Sequence, residues 1–168
     1  LIPDISYLLK KKNNIKGMIL THAHEDHIGA LPYILPELPA FPIFGSPLTA
    51  AFANQKLEEF GVRNNRVKSI TFTDKISLGN FEISFVRVTH SVPDSANFII
   101  KTPVGVVFHA SDFKFDQTPA DGKPSEMDKI KRIGEAGVLC LLCDSLRVEK
   151  EGHTPSEKDI EKNFEIEM

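Results

Sequence analysis

The sequence predicts an α/β fold in which helices flank mixed β sheets. Up to Gly61, short apolar runs of strand length alternate with segments of helical spacing. From Val67 onward, apolar and polar residues largely alternate, which is typical of strands that cover a core with one face. With 168 residues, the chain is long enough for one domain with a hydrophobic core.

The N-terminal elements are bounded by residues that start or stop helices. Pro36 ends one helix, and Ser46 and Pro47 supply the N-cap and first position of another, which stops at Gly61. The predicted order is a helix over Asp4–Lys12, a strand over Lys16–Thr21, a helix over Ile28–Leu35, a strand over Pro42–Gly45 and a helix over Pro47–Phe60.

The later elements are predicted to be mainly antiparallel strands. The predicted strands are Val67–Phe72, Phe81–Val88, Ala96–Lys101 and Val104–Ala110, with Asp74–Asn80 as a turn. A helix over Glu126–Ile133 and a buried apolar strand over Val138–Cys143 follow, and a capping box at Thr154–Glu157 opens a last helix. Cys140 and Cys143 would face opposite sides of the strand, so buried, reduced thiols are favoured over a redox pair or a zinc knuckle.

Composition limits the classes of function. The net charge of −3 argues mildly against a non-specific nucleic-acid binder. No apolar run approaches the roughly 18 residues of a membrane span, so we expect a cytoplasmic protein without membrane contact. The chain begins at Leu1 without an initiator Met, which predicts a fragment of a longer protein.

The densest group of metal-ligand residue types lies in Thr21–Gly29, with the sequence THAHEDHIG. If the preceding apolar run is a strand, His22 and His24 project to the same side of its end and can reach one cation. Asp26 and His27 fall in the turn that follows and point to a neighbouring position. The spacing therefore predicts two ions about 3.5–4 Å apart, held by ligand types that zinc and manganese accept. The alternative is a polar loop with coincidental histidines.

Two further candidate ligands follow later strands. His90 comes directly after the strand predicted to end at Val88, and Asp112 follows the one predicted to end at Ala110. His90 would complete the first ligand set. A carboxylate at Asp112 could bridge both ions and offset their mutual repulsion.

These motifs resemble the metallo-β-lactamase superfamily, and more narrowly its β-CASP ribonuclease J branch. The segments that carry the resemblance are IPDISYL from Ile2, HEDHIGALPY from His24, HSVPDS from His90, DFKFDQTP from Asp112, and Gly137–Leu139 through Asp144–Ser145. The HxHxDH motif, formed by His22, His24, Asp26 and His27, is shared by hydrolases of many substrates, whereas DFKFDQTP is much narrower.

The resemblance implies a truncated αββα four-layer sandwich. Residues 1–145 would form the metallo-β-lactamase domain without its first strands, and 146–168 would begin the connection into a β-CASP-like domain. The implied metal ligands are His22, His24, Asp26, His27, His90 and Asp112. Asp26, His27 and Asp112 are also the expected catalytic residues. Two Zn²⁺ are expected, with Mn²⁺ or Mg²⁺ as alternatives.

The implied activity is cleavage of RNA phosphodiesters, as 5′-to-3′ exonuclease and endonuclease, by a metal-activated hydroxide. The resemblance selects RNA; the spacing does not. The resemblance also allows the full-length protein to form a homo-oligomer or to pair with a homologue. One alternative is a hydrolase of a small ester, thioester or lactam using the same chemistry. Another is a folded, non-catalytic metal-binding piece.

The chain departs from the family pattern at several positions. The histidine that closes the second metal site is missing, which leaves that ion only Asp26, His27 and Asp112. Ser145–Val148 replaces an expected Ser-Thr-Asn-Ala, and Ala23 stands where glycine is usual. We therefore expect activity in the full-length protein and not in this chain alone.

Four polar residues near the motifs have less defined roles. Glu25 is either an acid that supports the metals or a solvated group. Ser91 could orient His90 or contact a phosphate, since metal-binding imidazoles usually need a partner on the other nitrogen. Lys114 could meet substrate phosphate or stay in solvent. His109 is expected to be structural and to point away from the metals.

Overall fold

The structure is a computed structural model that describes residues 2–167. The strands are β1 Met18–Ile19, β2 Ile43–Gly45, β3 Val67–Ser69, β4 Lys75–Leu78, β5 Phe81–Arg87, β6 Ala96–Thr102, β7 Gly105–Ala110 and β8 Cys140–Cys143. The α-helices are α1 Ser6–Lys10, α2 Glu25–Ile28, α3 Leu31–Ile34, α4 Pro47–Glu59, α5 Met127–Ala136 and α6 Glu157–Glu167. Among residues 2–167, none of the helices has both the length and the apolar character that a membrane crossing requires.

The smaller sheet is parallel, with strand order β1-β2-β3. Helix α4 connects β2 to β3 and buries Ala53 and Leu57 against them, as a crossover between parallel strands must. The alternating pattern had placed Val67–Phe72 in the antiparallel part. That prediction was wrong for Val67, which pairs with Ile43, because α4 returns the chain to the same sheet edge.

The larger sheet has the order β4-β5-β6-β7-β8 and is antiparallel except for the pair β7 and β8. Strand β4 lies inside the segment predicted as a turn. The turn is shorter than predicted because Gly79, at φ +61°, and Asn80 suffice to reverse the chain between Leu78 and Phe81. The smaller sheet has one buried cluster and the larger sheet has two, and Ile19 and Phe44 of the smaller sheet also pack on one of the clusters of the larger sheet.

Strand β8 is exposed along its whole length, contrary to the buried strand that its apolar run predicted. Leu141 and Leu142 are 59% and 49% exposed. The strand lies at the outer edge of the sheet, and within residues 2–167 no further strand pairs beyond it. The prediction of buried thiols is corrected for the same reason, since Cys140 and Cys143 are both free and exposed.

Helix α6 is attached to the DFKFDQTP loop through the carboxylate of Asp116. This side chain, 3% exposed, accepts hydrogen bonds from Ser156 Oγ at 2.7 Å and from the backbone N–H of Glu157 at 2.9 Å. Ser156 Oγ also lies 3.3 Å from the N–H of Lys158, so Ser156, and not Thr154, caps the helix. These hydrogen bonds lower the pKa of Asp116 to about 2.

Asp116→Asn is expected to destabilise the chain by about 1–3 kcal/mol, because buried donors would lose a charged acceptor. Because the folded-state pKa is below the ordinary value of 3.8, this contribution is present above pH 3.8 and is lost as the pH falls towards 2. Urea unfolding at pH 7 measures the loss, and hydrogen exchange should accelerate in α6. Asp159→Asn, at an exposed position of the same helix, is the control and should change neither measurement.

Candidate metal centre

Sheet topology brings the three candidate segments to one edge. Strands β5 and β7 both run antiparallel to β6, so their carboxyl ends, which precede His90 and Asp112, lie at the same edge. Strand β6 begins at that edge with Ala96, whose N–H donates to the carbonyl of Thr21 at 2.9 Å. This bond places the segment after β1 beside the ends of β5 and β7.

The HxHxDH segment folds differently from the expected strand end followed by a turn. Strand pairing ends at Ile19, and α2 starts at Glu25, so Asp26 and His27 lie in the first turn of a helix. The N–H of His27 bonds to the carbonyl of His24 at 3.0 Å, and the ring centroid of His27 lies 4.0 Å from that of His22.

Three imidazole nitrogens converge on one point. His24 Nδ1 lies 3.0 Å from His22 Nε2 and 3.2 Å from His90 Nε2. Two Zn–N bonds of about 2.0–2.1 Å at a tetrahedral centre set their nitrogens about 3.3 Å apart. One ligand atom of Asp112 joins the three nitrogens, all within 4.8 Å of one another. The donor set, and the distances of His22 and His90 from His24, therefore fit one zinc-sized ion.

Burial keeps two of these imidazoles neutral, as metal ligation requires. His22 is fully buried, and desolvation, followed by the neighbouring imidazoles of His27, His90 and His24, lowers its pKa to about 3. Desolvation and then His24 also lower the pKa of His90, against the opposing effect of Asp112. At 3.0 and 3.2 Å, the facing nitrogens either share a hydrogen bond, in which one ring is protonated at that nitrogen, or bind a cation between them.

The carboxylate of Asp112 lies between this cluster and a second group. Its Oδ2 is 3.6 Å from His90 Nε2 and 3.9 Å from His22 Nε2, whereas its Oδ1 is 3.6 Å from His27 Nε2. His27 Nε2 is in turn 3.5 Å from Asp26 Oδ2. The structure therefore brings four of the six predicted ligands into one group, with His27 beside Asp112. Asp26 contacts His27 alone among the predicted ligands, and its side chain is 78% exposed.

Two hydroxyl groups contact the outer nitrogens of the imidazoles. Ser91 Oγ lies 3.2 Å from His24 Nε2, so it supports His24 and not His90 as the sequence had suggested. Thr21 Oγ1 lies 3.1 Å from His22 Nδ1 and 3.3 Å from His27 Nδ1. Sequence reasoning missed Thr21. The need of metal-binding imidazoles for a second hydrogen-bond partner was the available signal.

The other polar residues near the motifs have partners away from the cluster. Glu25 is exposed and pairs with Lys56 Nζ at 2.6 Å. Lys114 pairs with Glu157 at 2.6 Å, which directs it towards α6. His109 stacks on Phe98 with ring centroids 5.7 Å apart, in agreement with its predicted structural role.

An open groove of 710 Å³ adjoins the cluster. His90 and Asp112 form part of its wall, and Arg147, Lys150 and His153 line it from the loop before α6. Among the residues whose side chains the structure describes, which leave out 165 and 167, neither Arg147 nor Lys150 has a carboxylate within ion-pair distance. The groove thus brings Arg147 and Lys150 near the candidate ligands, and the acidic Asp144 and Glu151 line it as well.

Comparison with known proteins assigns the family. Residues 4–155 match a profile described as "Beta-lactamase superfamily domain". The chain belongs to the metallo-β-lactamase superfamily. This superfamily is the one that the HxHxDH motif and the later histidine and aspartate predicted, and the prediction is confirmed.

Curated relatives of this superfamily member include several ribonucleases J. The protein from Thermus thermophilus is 44% identical over 98% of this chain and 30% of its own length. The protein from Helicobacter pylori (strain 26695) is 44% identical over 98% of this chain and 24% of its own length. Ribonuclease J2 of Bacillus subtilis is 41% identical over 93% of this chain and 28% of its own length. The chain spans less than a third of the length of these relatives.

Two solved structures share a fold with much of this chain. A protein of unknown function from Enterococcus faecalis V583 aligns with a TM-score of 0.64 over 88% of this chain and 37% of that one, at 18% identity. A diphosphatase of the PhnP family aligns with a TM-score of 0.50 over 67% of this chain and 45% of that one, also at 18% identity. At such identities the likeness shows the fold alone, and it confirms the predicted fold class.

Proposed function

We propose that this chain carries the metal centre of a metal-dependent ribonuclease of the ribonuclease J type. The observation that supports the proposal most directly is the position of Asp112, with one carboxylate oxygen towards His22 and His90 and the other towards His27. Relatives that are 40–44% identical and named ribonuclease J supply the substrate class.

Each ligand would have a distinct role in this centre. His22, His24 and His90 would hold the first ion. Asp26 and His27 would hold the second, and Asp112 would contribute to both. When bound, the ions would lower the pKa of water towards about 7 and neutralise charge on the phosphate. Asp26, His27 and Asp112 would orient the attacking water as catalytic residues.

Zinc fits the donor set best. Neutral imidazole nitrogen is the dominant donor in the first group, and zinc binds such nitrogens in tetrahedral sites. The second group, with two carboxylates and one imidazole, also suits Mn²⁺. The number of ions and the choice among Zn²⁺, Mn²⁺ and Mg²⁺ are part of this proposal.

RNA is proposed as the substrate because the relatives named ribonuclease J supply that class, and two cations of the groove suit its phosphates. Arg147 and Lys150 would contact phosphates that flank the scissile one, since cations neutralise the nucleic-acid backbone without reading sequence. The cytoplasmic location, the pairing with a second copy or a homologue, and the division of the chain at residue 145 stay predictions.

The full-length protein that carries this chain is expected to degrade 5′-monophosphorylated RNA. EDTA should abolish the reaction, and Zn²⁺ or Mn²⁺ should restore it. Products are resolved on denaturing gels beside parallel assays with a small ester and a lactam. Glu25→Gln, within the motif but paired with Lys56 and outside the cluster, is the control and should keep full activity. Ester or lactam turnover with intact RNA would contradict the nuclease proposal.

A further inference from the structure

A single hydroxyl group contacts imidazoles of both ligand groups. Thr21 Oγ1 lies 3.1 Å from Nδ1 of His22, which belongs to the first group, and 3.3 Å from Nδ1 of His27, which belongs to the second. We infer that Thr21 is a positioning residue that sets the tautomer of one imidazole in each half of the centre. The inference rests on the metal centre proposed above.

The position of this hydroxyl is fixed by both sheets. The carbonyl of Thr21 accepts the N–H of Ala96 from the larger sheet, and the N–H of Leu20 bonds to the carbonyl of Phe44 in the smaller one at 2.8 Å. Thr21 is 8% exposed, so little water competes for its hydroxyl. The hydroxyl therefore meets the two rings from a rigid backbone.

The hydrogen-bonding capacity of a hydroxyl group limits the proton arrangement. A threonine Oγ1 can accept two hydrogen bonds but donates only one. If it accepts from Nδ1–H of both rings, both Nε2 atoms keep their lone pairs and face Asp112. If it donates to one ring, the proton of that ring moves to Nε2, where it blocks ligation.

The surroundings of His27 favour the first arrangement. Its Nε2 lies 3.5 Å from Asp26 and 3.6 Å from Asp112, at or beyond the limit of a hydrogen bond. A proton on Nε2 would thus have only distant acceptors, whereas a proton on Nδ1 has Thr21 Oγ1. For His22, ligation through Nε2 beside His24 requires the same tautomer.

Because Thr21 contacts two imidazoles and Ser91 contacts one, variants of these two residues should affect different rings. Loss of the Thr21 hydroxyl group should remove the Nδ1 hydrogen-bond partner of two imidazoles, His22 in the first ligand group and His27 in the second. Loss of the Ser91 hydroxyl group should change the tautomer of His24 alone, because Ser91 Oγ contacts Nε2 of that ring. These two variants differ in which rings change and serve as matched tests.

The test compares Thr21→Val, Thr21→Ser and Ser91→Ala in the metal-free and zinc-loaded chain. Long-range ¹H–¹⁵N NMR of the imidazoles identifies the protonated nitrogen of each ring. Metal-free wild-type protein at pH 7.5 should show Nδ1–H at His22 and His27. Thr21→Val should lose this signature at both rings and lower zinc affinity about 10–100-fold, and Thr21→Ser should restore both. Ser91→Ala should alter His24 alone.

Nε2–H in either ring of the wild-type protein would overturn the inference, even if Thr21→Val fails to fold. So would unchanged tautomers in a folded Thr21→Val variant, or the same change at His22 and His27 in Ser91→Ala. Absence of zinc binding by wild-type protein would instead contradict the proposed metal centre. The metal-free spectra decide the tautomer question separately.

Discussion

Asp112→Asn is expected to abolish binding of the second metal ion and to weaken binding of the first. Asparagine keeps the size of the side chain but removes the charge and one carboxylate oxygen, so the second ion would retain only Asp26 and His27. Changes to groups that merely support metal ligands cost about 10–100-fold, so loss of a shared ligand should lower RNA cleavage by more than about 100-fold in the full-length protein.

Zinc content per chain, measured by mass spectrometry after dialysis, tests this expectation. Asp121→Asn is the matched control, because Asp121 is an exposed aspartate of the following loop whose carboxylate accepts the N–H of Lys123. Zinc content that does not change with Asp112→Asn would show that the carboxylate is not a ligand, and the two-ion arrangement would have to be abandoned.

The metal-free chain is expected to lose stability steeply as the pH falls from 6.5 to 5. The folded-state pKa of His22 is about 3, below its ordinary value of 6.5, because the ring is buried beside other imidazoles. In this range the unfolded chain binds a proton that the folded chain does not, so acid favours unfolding. One such group contributes a slope of about 1.4 kcal/mol per pH unit. His90, with a pKa shifted in the same direction, adds to it.

Urea unfolding of EDTA-treated protein at several pH values measures the slope. His22→Asn removes the titrating group. It should therefore reduce the slope by the contribution of one such group, about 1.4 kcal/mol per pH unit, even if the substitution also changes stability at pH 7. Carboxylates titrate mainly below this range. A stability that is constant between pH 6.5 and 5 would be incompatible with a neutral, buried His22.

Parts of the fold could be predicted because their signals are local. The start of α4 is marked by Ser46 and Pro47, and the hairpin of β6 and β7 by two apolar runs around a short turn. Strand β4 was missed because its four residues, although they alternate polar and apolar, lie between the turn-forming residues Asp74 and Gly79. The exposure of β8 was missed because composition reports apolar character but not the position of a strand within a sheet.

The sequence alone determined the family and the ligand candidates, because closely spaced histidines and aspartates at strand ends have few other uses and the DFKFDQTP run is narrow. Only the tertiary structure decided how these groups meet. The direction of β5 and β7 relative to β6 brings His90 and Asp112 to the edge where Thr21 bonds to Ala96. Distances between segments that are remote in the chain determine which nitrogen of each imidazole faces the proposed metal and which hydroxyl group contacts the second nitrogen of that ring.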